Sequence, residues 1–302
     1  MNRLLAAIAV FLAAVPTASA QRGEGGKLPA PDVADERYGP HERNVLDLWK
    51  AKRESPTPLV VYIHGGGFRR GDKRSLSPAL LSGCLERGIS VAAIHYRLSQ
   101  DAPFPAPFED SARAIQFLRS RAADWNLDPT RFAATGGSAG AGISLWLGLG
   151  DDRADPGSDD PVARQSTRLS AMAVVNGQCS YDPRWLREHI NDAAADHSAV
   201  TELFGLEAGE RDTPEAHALY EAASPIRFVT KDDPPVLLLY SGRDSPITPQ
   251  TDEATAIHHP RFGMLLEEAM DALGLECTVK AGTGRQGWDA ELIEFLVRHL
   301  GS

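Results

Sequence analysis

The stretch Gly136-Gly137-Ser138-Ala139-Gly140 decides the fold class of this 302-residue chain. It follows an apolar run, residues 131–135, and it opens a segment of small and apolar residues, 139–149, that predicts a helix. A strand, a G-x-S-x-G turn and a helix in this order form a strained bend that exposes the serine hydroxyl. Glycines flank the serine because side chains at those positions would collide in the bend. The pattern predicts that Ser138 is a nucleophile.

Apolar runs and helical patterns alternate along the rest of the chain. Continuous apolar runs of this length are typical of strands that are buried on both faces of a parallel sheet. Strands are predicted at 44–49, 59–63, 90–94, 131–135, 171–175, 235–240 and 276–280, and helices at 76–87, 108–125, 139–149, 260–273 and 288–300. The alternation predicts an α/β fold with a doubly wound, mostly parallel sheet. Polar helical stretches at 181–222 predict a small helical cap insertion over the carboxyl edge of the strands, where such folds place their sites.

The amino terminus predicts export from the cytoplasm. Arg3, the apolar stretch 4–15 and the small residues Ala18-Ser19-Ala20 predict a signal peptide over residues 1–20 and a periplasmic or secreted protein. An uncleaved anchor is the alternative. Residues 21–36 are rich in Gly, Pro and charge and are expected to be a flexible entry segment. Residues 37–302 are expected to form one domain.

Composition narrows the range of partners and cofactors. The chain has 41 acidic and 31 basic residues and a net charge of −10, which disfavours nucleic acid and anionic membranes as partners. After signal removal no apolar segment is long enough to span a bilayer. Three cysteines, Cys84, Cys179 and Cys277, lie in apolar contexts and are expected to be small buried side chains. Their spacing suits no metal site, and no cofactor is predicted.

A second motif, His64-Gly65-Gly66-Gly67-Phe68, directly follows the strand predicted at 59–63. Such a glycine loop supplies a backbone N–H to an oxyanion hole, together with the N–H of the residue after the nucleophile. The donors predicted here are Gly66 or Gly67 together with Ala139. Glycine-rich strand ends also bind phosphates, but this loop precedes a G-x-S-x-G motif in the expected chain order. His64 itself is expected to hold its loop by hydrogen bonds.

These motifs resemble the α/β-hydrolase superfamily, in its hormone-sensitive-lipase-like and feruloyl-esterase-like (BD-FAE type) branches. Further stretches carry the likeness: Gly71-Asp72-Lys73, Tyr96-Arg97-Leu98, residues 128–132, Ala223-Ser224-Pro225-Ile226, residues 234–238 and the entry stretch 38–47. The resemblance covers roughly residues 38–300. It implies a serine carboxylesterase that hydrolyses small-molecule carboxylic esters without a cofactor.

The sequence indicates a candidate for the acid of the expected triad, but it has no histidine at the position expected for the base. Asp244, in Ser241-Gly242-Arg243-Asp244 just after a predicted strand, is expected to orient an imidazole. The family's histidine follows the last strand, but residues 281–287 contain none. Arg285 or Gln286 occupies the expected place, and neither is a general base near neutral pH.

His258 and His259 are the candidates for a displaced base. They end a long connection from Asp244, and Pro260 after them suits the first turn of a helix. The alternative is that the pair only fills the loop and caps that helix. Which of the two histidines acts is left open by the sequence.

Two functions from different classes compete. The first is a secreted serine esterase that forms an acyl-enzyme on Ser138. The second is a hydrolase-derived binding protein that has kept the pocket and lost most of its turnover, because the usual histidine is missing. An imidazole of His258 or His259 within hydrogen-bond reach of the Ser138 hydroxyl would favour the enzyme.

Overall fold

The computed structural model describes residues 27–284 and 287–301, and within them eight strands form one sheet. The strands are β1 (Val33–Arg37), β2 (Val45–Trp49), β3 (Thr57–Ile63), β4 (Ser90–Ile94), β5 (Leu127–Gly137), β6 (Ala171–Val175), β7 (Val236–Tyr240) and β8 (Cys277–Ala281). Their order is β1-β2-β4-β3-β5-β6-β7-β8. β2 pairs antiparallel with β1 and with β4, and the pairs from β4 to β8 are all parallel. The predicted mostly parallel α/β sheet is confirmed.

Helices connect the strands on both faces of this sheet. They are α1 (Pro78–Glu86), α2 (Ala106–Ser120), α3 (Ala122–Trp125), α4 (Ala139–Leu149), α5 (Pro183–His189), α6 (Asp192–Ala195), α7 (Ser198–Thr201), α8 (Pro214–Ala223), α9 (Glu253–Ile257), α10 (Arg261–Asp271) and α11 (Trp288–Leu300). Short 3₁₀ turns lie at 73–75, 208–210 and 225–228. The helices α5 to α8 fall in the segment predicted as a cap insertion.

The central strands are apolar throughout because both of their faces are covered. In β3, Leu59, Val61 and Ile63 belong to the core under α2, α4 and α10, whereas Val60 belongs to the core under α1 and α11. All four side chains are fully buried. Burial on both faces explains why the sequences of these strands are continuously apolar and do not alternate between apolar and polar residues. It also fixes the register that carries each strand end to the same edge of the sheet.

One sequence expectation, about the amino-terminal segment, is wrong. Residues 33–36, expected to be part of a flexible entry segment, belong to β1, an edge strand that pairs with β2 through Arg37 and Val45. The long connection after Asp244 contains a short helix, α9, that begins after the capping residue Asp252. Residues 1–20, predicted as a signal peptide, lie outside the described residues.

The structure also bears on the cysteines and on membrane spans. Cys84, Cys179 and Cys277 are all buried, as expected from their apolar contexts, and none of the three is in a disulfide. Within residues 27–284 and 287–301, no helix combines the length and the apolar character needed to cross a membrane.

Candidate active site

Ser138 occupies the bend between β5 and α4. Its backbone has φ 53° and ψ −120°, a left-handed conformation that is uncommon for a residue other than glycine. The bend is held by a hydrogen bond from the Ser138 N–H to the Val175 carbonyl (2.9 Å), and Gly142 N–H donates to the Ser138 carbonyl (3.0 Å). The serine side chain is half-buried and lines a cavity. The predicted strand–turn–helix arrangement is therefore present, with the hydroxyl accessible.

The glycines of the motif allow the bend to pack against the end of β3. A Cβ on Gly136 would lie 2.4 Å from the Ile63 carbonyl oxygen, and a Cβ on Gly140 would lie 2.0 Å from the same atom. Both distances are far shorter than a van der Waals contact. Any side chain at either position would push Ser138 away from the sheet.

The glycine loop after β3 lies directly beside Ser138. A Cβ on Gly65 would be 2.5 Å from the Gly137 carbonyl oxygen and 3.7 Å from Ser138 Cβ. Among the described residues, the N–H groups of Gly66 and Gly67 have no hydrogen-bond acceptor. Ala139 is the first residue of α4, so its N–H has no acceptor within the helix either. The structure thus brings together the amides predicted for an oxyanion hole.

His258 lies at the serine hydroxyl. Its Nε2 is 2.9 Å from Ser138 Oγ, and its Nδ1 is 3.0 Å from the Ala254 carbonyl oxygen. A carbonyl oxygen can only accept, so Nδ1 carries the proton and Nε2 is left to accept from the serine hydroxyl. Of the two candidate histidines, His258 therefore has the geometry of a general base.

His259 points elsewhere and anchors the loop. Its side chain is buried, its Nε2 lies 3.0 Å from the Ser245 carbonyl oxygen, and its Nδ1 accepts from the Arg261 N–H at 3.1 Å. Both ring nitrogens are thus bound to backbone groups on either side of the turn. The structure places His259 as a support for the segment that carries His258, and not at the serine.

Asp244 is not joined to either histidine. Its side chain is exposed, and within the described part of the chain no hydrogen bond or ion pair involves it. Among the hydrogen bonds between described residues, none joins an imidazole to Asp244, and the Ala254 carbonyl accepts from His258 Nδ1. The residues at the family's usual histidine position, Arg285 and Gln286, lie outside the described residues.

Gln178 is a contributor that the sequence analysis missed. Its buried side-chain amide donates to the Ile257 carbonyl at 2.7 Å and to the Asn176 carbonyl at 3.0 Å. The first bond ties the loop after β6 to the residue before His258. A glutamine just after a strand has no motif, so its role is visible only once the chain is folded. The Ala254 carbonyl has no sequence signal either, apart from the capping Asp252 that predicts a helix start.

His64 stabilises the glycine loop from behind by hydrogen bonding, as expected. It is fully buried, its ring stacks on Tyr96 at 4.3 Å, and its Nδ1 lies 2.8 Å from the Gly65 carbonyl oxygen. Arg43 Nη2 lies 3.2 Å from its Nε2. Burial lowers the pKa of His64 to about 4, although the bond to Gly65 opposes this shift. The ring is therefore neutral at physiological pH and serves as a structural hydrogen-bonding group.

The cavity at this edge of the sheet has a volume of about 1130 Å³. Ser138, His258 and the glycine loop line it, together with residues 197–199 of the helical insertion. Within the described residues, no group of three His, Cys, Asp or Glu side chains could hold a metal ion.

The sheet order, the bend at Ser138 and the adjacent glycine loop define the α/β-hydrolase fold. The BD-FAE family model matches residues 46–256, and the chain belongs to this family. Esterase LipQ of Mycobacterium tuberculosis is 30% identical over 227 residues, which cover 73% of this chain and 50% of LipQ. The chain spans about half the length of the curated relatives it matches.

Solved structures share the same fold at low sequence identity. A truncated carbohydrate esterase from gut microbiota superposes with a TM-score of 0.68 at 20% identity, covering 89% of this chain and 96% of that one. Thermogutta terrifontis esterase 2 phosphonylated by sarin superposes with a TM-score of 0.68 at 20% identity, covering 91% of this chain and 98% of that one.

Proposed function

We propose that the protein is a carboxylic-ester hydrolase that forms an acyl-enzyme on Ser138. One observation carries this proposal: the 2.9 Å hydrogen bond between Ser138 Oγ and His258 Nε2. Membership of the BD-FAE family and the resemblance to named esterases support the same activity. No cofactor is needed, and the substrate is a small-molecule ester.

In the proposed reaction Ser138 Oγ attacks the ester carbonyl carbon while His258 Nε2 takes the hydroxyl proton. The carbonyl oxygen becomes an oxyanion that the N–H groups of Gly66 or Gly67 and of Ala139 stabilise. Each such donor is typically worth about 10²–10³ in rate. His258 then gives its proton to the departing alcohol, and the serine keeps the acyl group. Water, deprotonated by the same histidine, releases the acid and restores the hydroxyl.

The imidazole is oriented by a backbone carbonyl in this proposal. The Ala254 carbonyl holds Nδ1 in its protonated form, which leaves Nε2 as the acceptor that the reaction requires. The carbonyl dipole also stabilises the imidazolium that forms after proton transfer, although a full carboxylate charge would do so more strongly. The supporting role predicted for Asp244 remains a prediction.

The competing proposal, a binding protein without turnover, depended on the missing histidine after β8. A histidine from the connection between β7 and α10 reaches the serine instead, which removes the main argument for lost activity. A binding protein would have no need for an imidazole in this tautomer beside the hydroxyl.

Hydrolysis of 4-nitrophenyl acetate and butyrate by the wild type and by Ser138→Ala tests the proposal. The wild type should release nitrophenol, and the variant should lose at least about 10³-fold in kcat/KM. A fluorophosphonate probe should add its mass to the tryptic peptide that contains Ser138 and leave Ser138→Ala unlabelled. Thermogutta terrifontis esterase 2, which shares the fold, is phosphonylated by sarin, and this motivates the probe. Equal hydrolysis by both proteins would remove Ser138 as the nucleophile.

We also propose that residues 1–20 are a signal peptide and that the mature protein is periplasmic or secreted. The support is the order of Arg3, an apolar stretch and small residues at a cleavage site. Amino-terminal sequencing of the protein exported from a bacterial host should begin near Gln21. A cytoplasmic protein that retains its first residues would contradict this proposal.

A further inference from the structure

The charged side chains around the cavity are mostly cationic, although the whole chain has a net charge of −10. Arg69, Arg70 and Arg243 line the cavity, and Glu202 is the acidic one among the described lining residues. Arg69 Nε lies 2.7 Å from Glu202 Oε2, so these two charges neutralise each other. Among the described residues, neither Arg70 nor Arg243 has an ion-pair or hydrogen-bond partner for its guanidinium. Among the described lining residues, two positive charges therefore have no acidic partner.

Arg70 lies on the oxyanion side of the serine. It belongs to the loop after β3, and its N–H donates to the Gly66 carbonyl at 3.2 Å. A Cβ on Gly66 would be 3.1 Å from Arg70 Cγ, so the stem of this side chain packs on the oxyanion loop. The stem of the Arg70 side chain is thus held in place next to the amides that are proposed to bind the ester carbonyl.

Arg243 lies on the other side of the serine. It follows β7, and its stem packs against the loop after β8, because a Cβ on Gly282 would be 3.0 Å from Arg243 Cγ. The Gly282 N–H donates to the Gly242 carbonyl at 2.7 Å, which fixes this loop. In the sheet, β5 and its Ser138 lie between β3 and β7. Three strand spacings separate β3 from β7, so the strands that precede Arg70 and Arg243 lie roughly 14 Å apart, one on each side of β5.

We propose that the natural substrates are esters that carry a free carboxylate, which Arg70 or Arg243 binds while Ser138 attacks the ester bond. This inference rests on the proposed esterase activity. A planar guanidinium binds a carboxylate through two parallel hydrogen bonds. The low-dielectric walls of a cleft concentrate the field of its charges, so an anion is attracted into it even though the protein is acidic overall. The apolar side chains Phe68, Val175 and Trp288 in the same wall suit the organic part of such an ester.

Matched pairs of esters test this proposal on each side of the ester bond. On the acyl side, 4-nitrophenyl hemisuccinate is compared with 4-nitrophenyl 4-methylpentanoate, which has the same shape without the charge. On the alcohol side, 4-carboxyphenyl acetate is compared with 4-carbamoylphenyl acetate. After correction for the intrinsic reactivity of each ester, one pair should show a kcat/KM ratio of about 3–10 in favour of the carboxylate. The ratio should fall as salt is raised towards 1 M, because salt screens exposed charges.

Charge-removing variants identify the arginine. Arg70→Gln or Arg243→Gln should reduce the carboxylate preference by roughly two- to fivefold, and the lysine variant at the same position should restore much of it. Arg298→Gln is the matched control, because Arg298 is an exposed arginine on α11 outside the cavity lining. Its carboxylate preference should equal that of the wild type.

The possible results separate this proposal from the esterase activity itself. Equal rates within both pairs, or a preference that neither glutamine variant changes, would overturn the proposal while the esterase activity stands. If no ester is hydrolysed, calorimetric binding of the hemisuccinate and 4-methylpentanoate esters to Ser138→Ala decides the question. The proposal is supported if the carboxylate ester binds more tightly than the uncharged ester and if Arg70→Gln or Arg243→Gln weakens that binding. Equal binding of the two esters would refute it.

Discussion

The serine and the histidine of the site form one hydrogen-bonded pair, but the chain holds them by different means. Ser138 and the glycine loop follow adjacent parallel strands, β5 and β3, whose register is fixed by burial on both faces. His258 ends a five-residue helix in a long connection and depends on side chains that bind its neighbours. Ser138 is thus positioned by the sheet, and His258 by individual hydrogen bonds. Sequence motifs predict positioning by the sheet well, but they hardly predict positioning by individual hydrogen bonds.

The largest expected effect distinguishes the two histidines of the connection. His258→Ala should lower kcat/KM for a nitrophenyl ester by about 10³–10⁶, because no other imidazole in the described residues lies at Ser138 Oγ. His259→Ala removes the bonds to the Ser245 carbonyl and the Arg261 N–H, and it should cost roughly 10–100-fold together with thermal stability. Steady-state kinetics and melting curves of both variants measure this contrast. Full activity in His258→Ala would exclude it as the base.

The next effect concerns the buried His64 behind the glycine loop that follows β3. Since burial lowers the pKa of His64 to about 4, the unfolded chain binds a proton below pH 6.5 that the folded protein does not. Stability from this residue is complete above pH 6.5 and is lost as the pH falls towards 4, by about 3 kcal/mol in all. The pKa of the neighbouring His95 is also lowered, chiefly by burial, and adds in the same direction.

Urea unfolding between pH 7.5 and 4.5 measures this dependence. The free energy of unfolding of the wild type should fall with decreasing pH, and that of His64→Gln should fall less steeply, whatever its absolute value. His217→Gln is a suitable control, since His217 lies on α8 and pairs with the exposed Asp212. Identical slopes for His64→Gln and the wild type would show that His64 titrates normally in the folded state.

A smaller effect tests whether the Gln178 side chain helps to hold His258 in place. Gln178→Met keeps the side-chain size and removes the donor to the Ile257 carbonyl, so His258 should lose its alignment and kcat should fall about 10–100-fold. Gln116→Met is a matched control, because the buried Gln116 amide also donates to carbonyls, those of 153, 163 and 165, away from the site. Both variants should lose stability, and only Gln178→Met should lose kcat. Equal kcat in the two variants would make Gln178 purely structural.

The smallest effect concerns Asp244. Because the Ala254 carbonyl binds His258 Nδ1 and Asp244 is exposed, Asp244→Asn should change kcat/KM by less than about threefold. The pH dependence of kcat/KM should also keep its shape. A loss of 10²-fold or more would mean that the aspartate approaches the imidazole during the reaction, which would support its predicted role.

The sequence predicted well the strands and the helix that carry Ser138 and the glycine loop. The helix 139–149 and the strands 90–94 and 171–175 have the predicted bounds, because hydrophobic runs and glycine turns are local signals. The same signals placed Ser138, Gly66, Gly67 and Ala139 together.

The other half of the site escaped prediction for physical reasons. His258 and His259 are adjacent in sequence and equivalent as residue types, so only the geometry of α9 distinguishes them. Asp244 follows β7, as predicted, but the Ala254 carbonyl accepts the hydrogen bond from His258 Nδ1 that was expected for it. Every residue has a backbone carbonyl, so no residue type in the sequence indicates this acceptor. β1 was missed because an edge strand with one paired side has no continuous apolar run.

The backbone angles of Ser138 limit which amino acids can replace it. At φ 53° and ψ −120° a second substituent on Cβ would crowd the backbone, so threonine is a poor replacement although it keeps the hydroxyl. Cysteine has the same unbranched shape and meets no such obstacle. At this position the hydroxyl oxygen can be exchanged for sulfur more readily than a single methyl group can be added to Cβ.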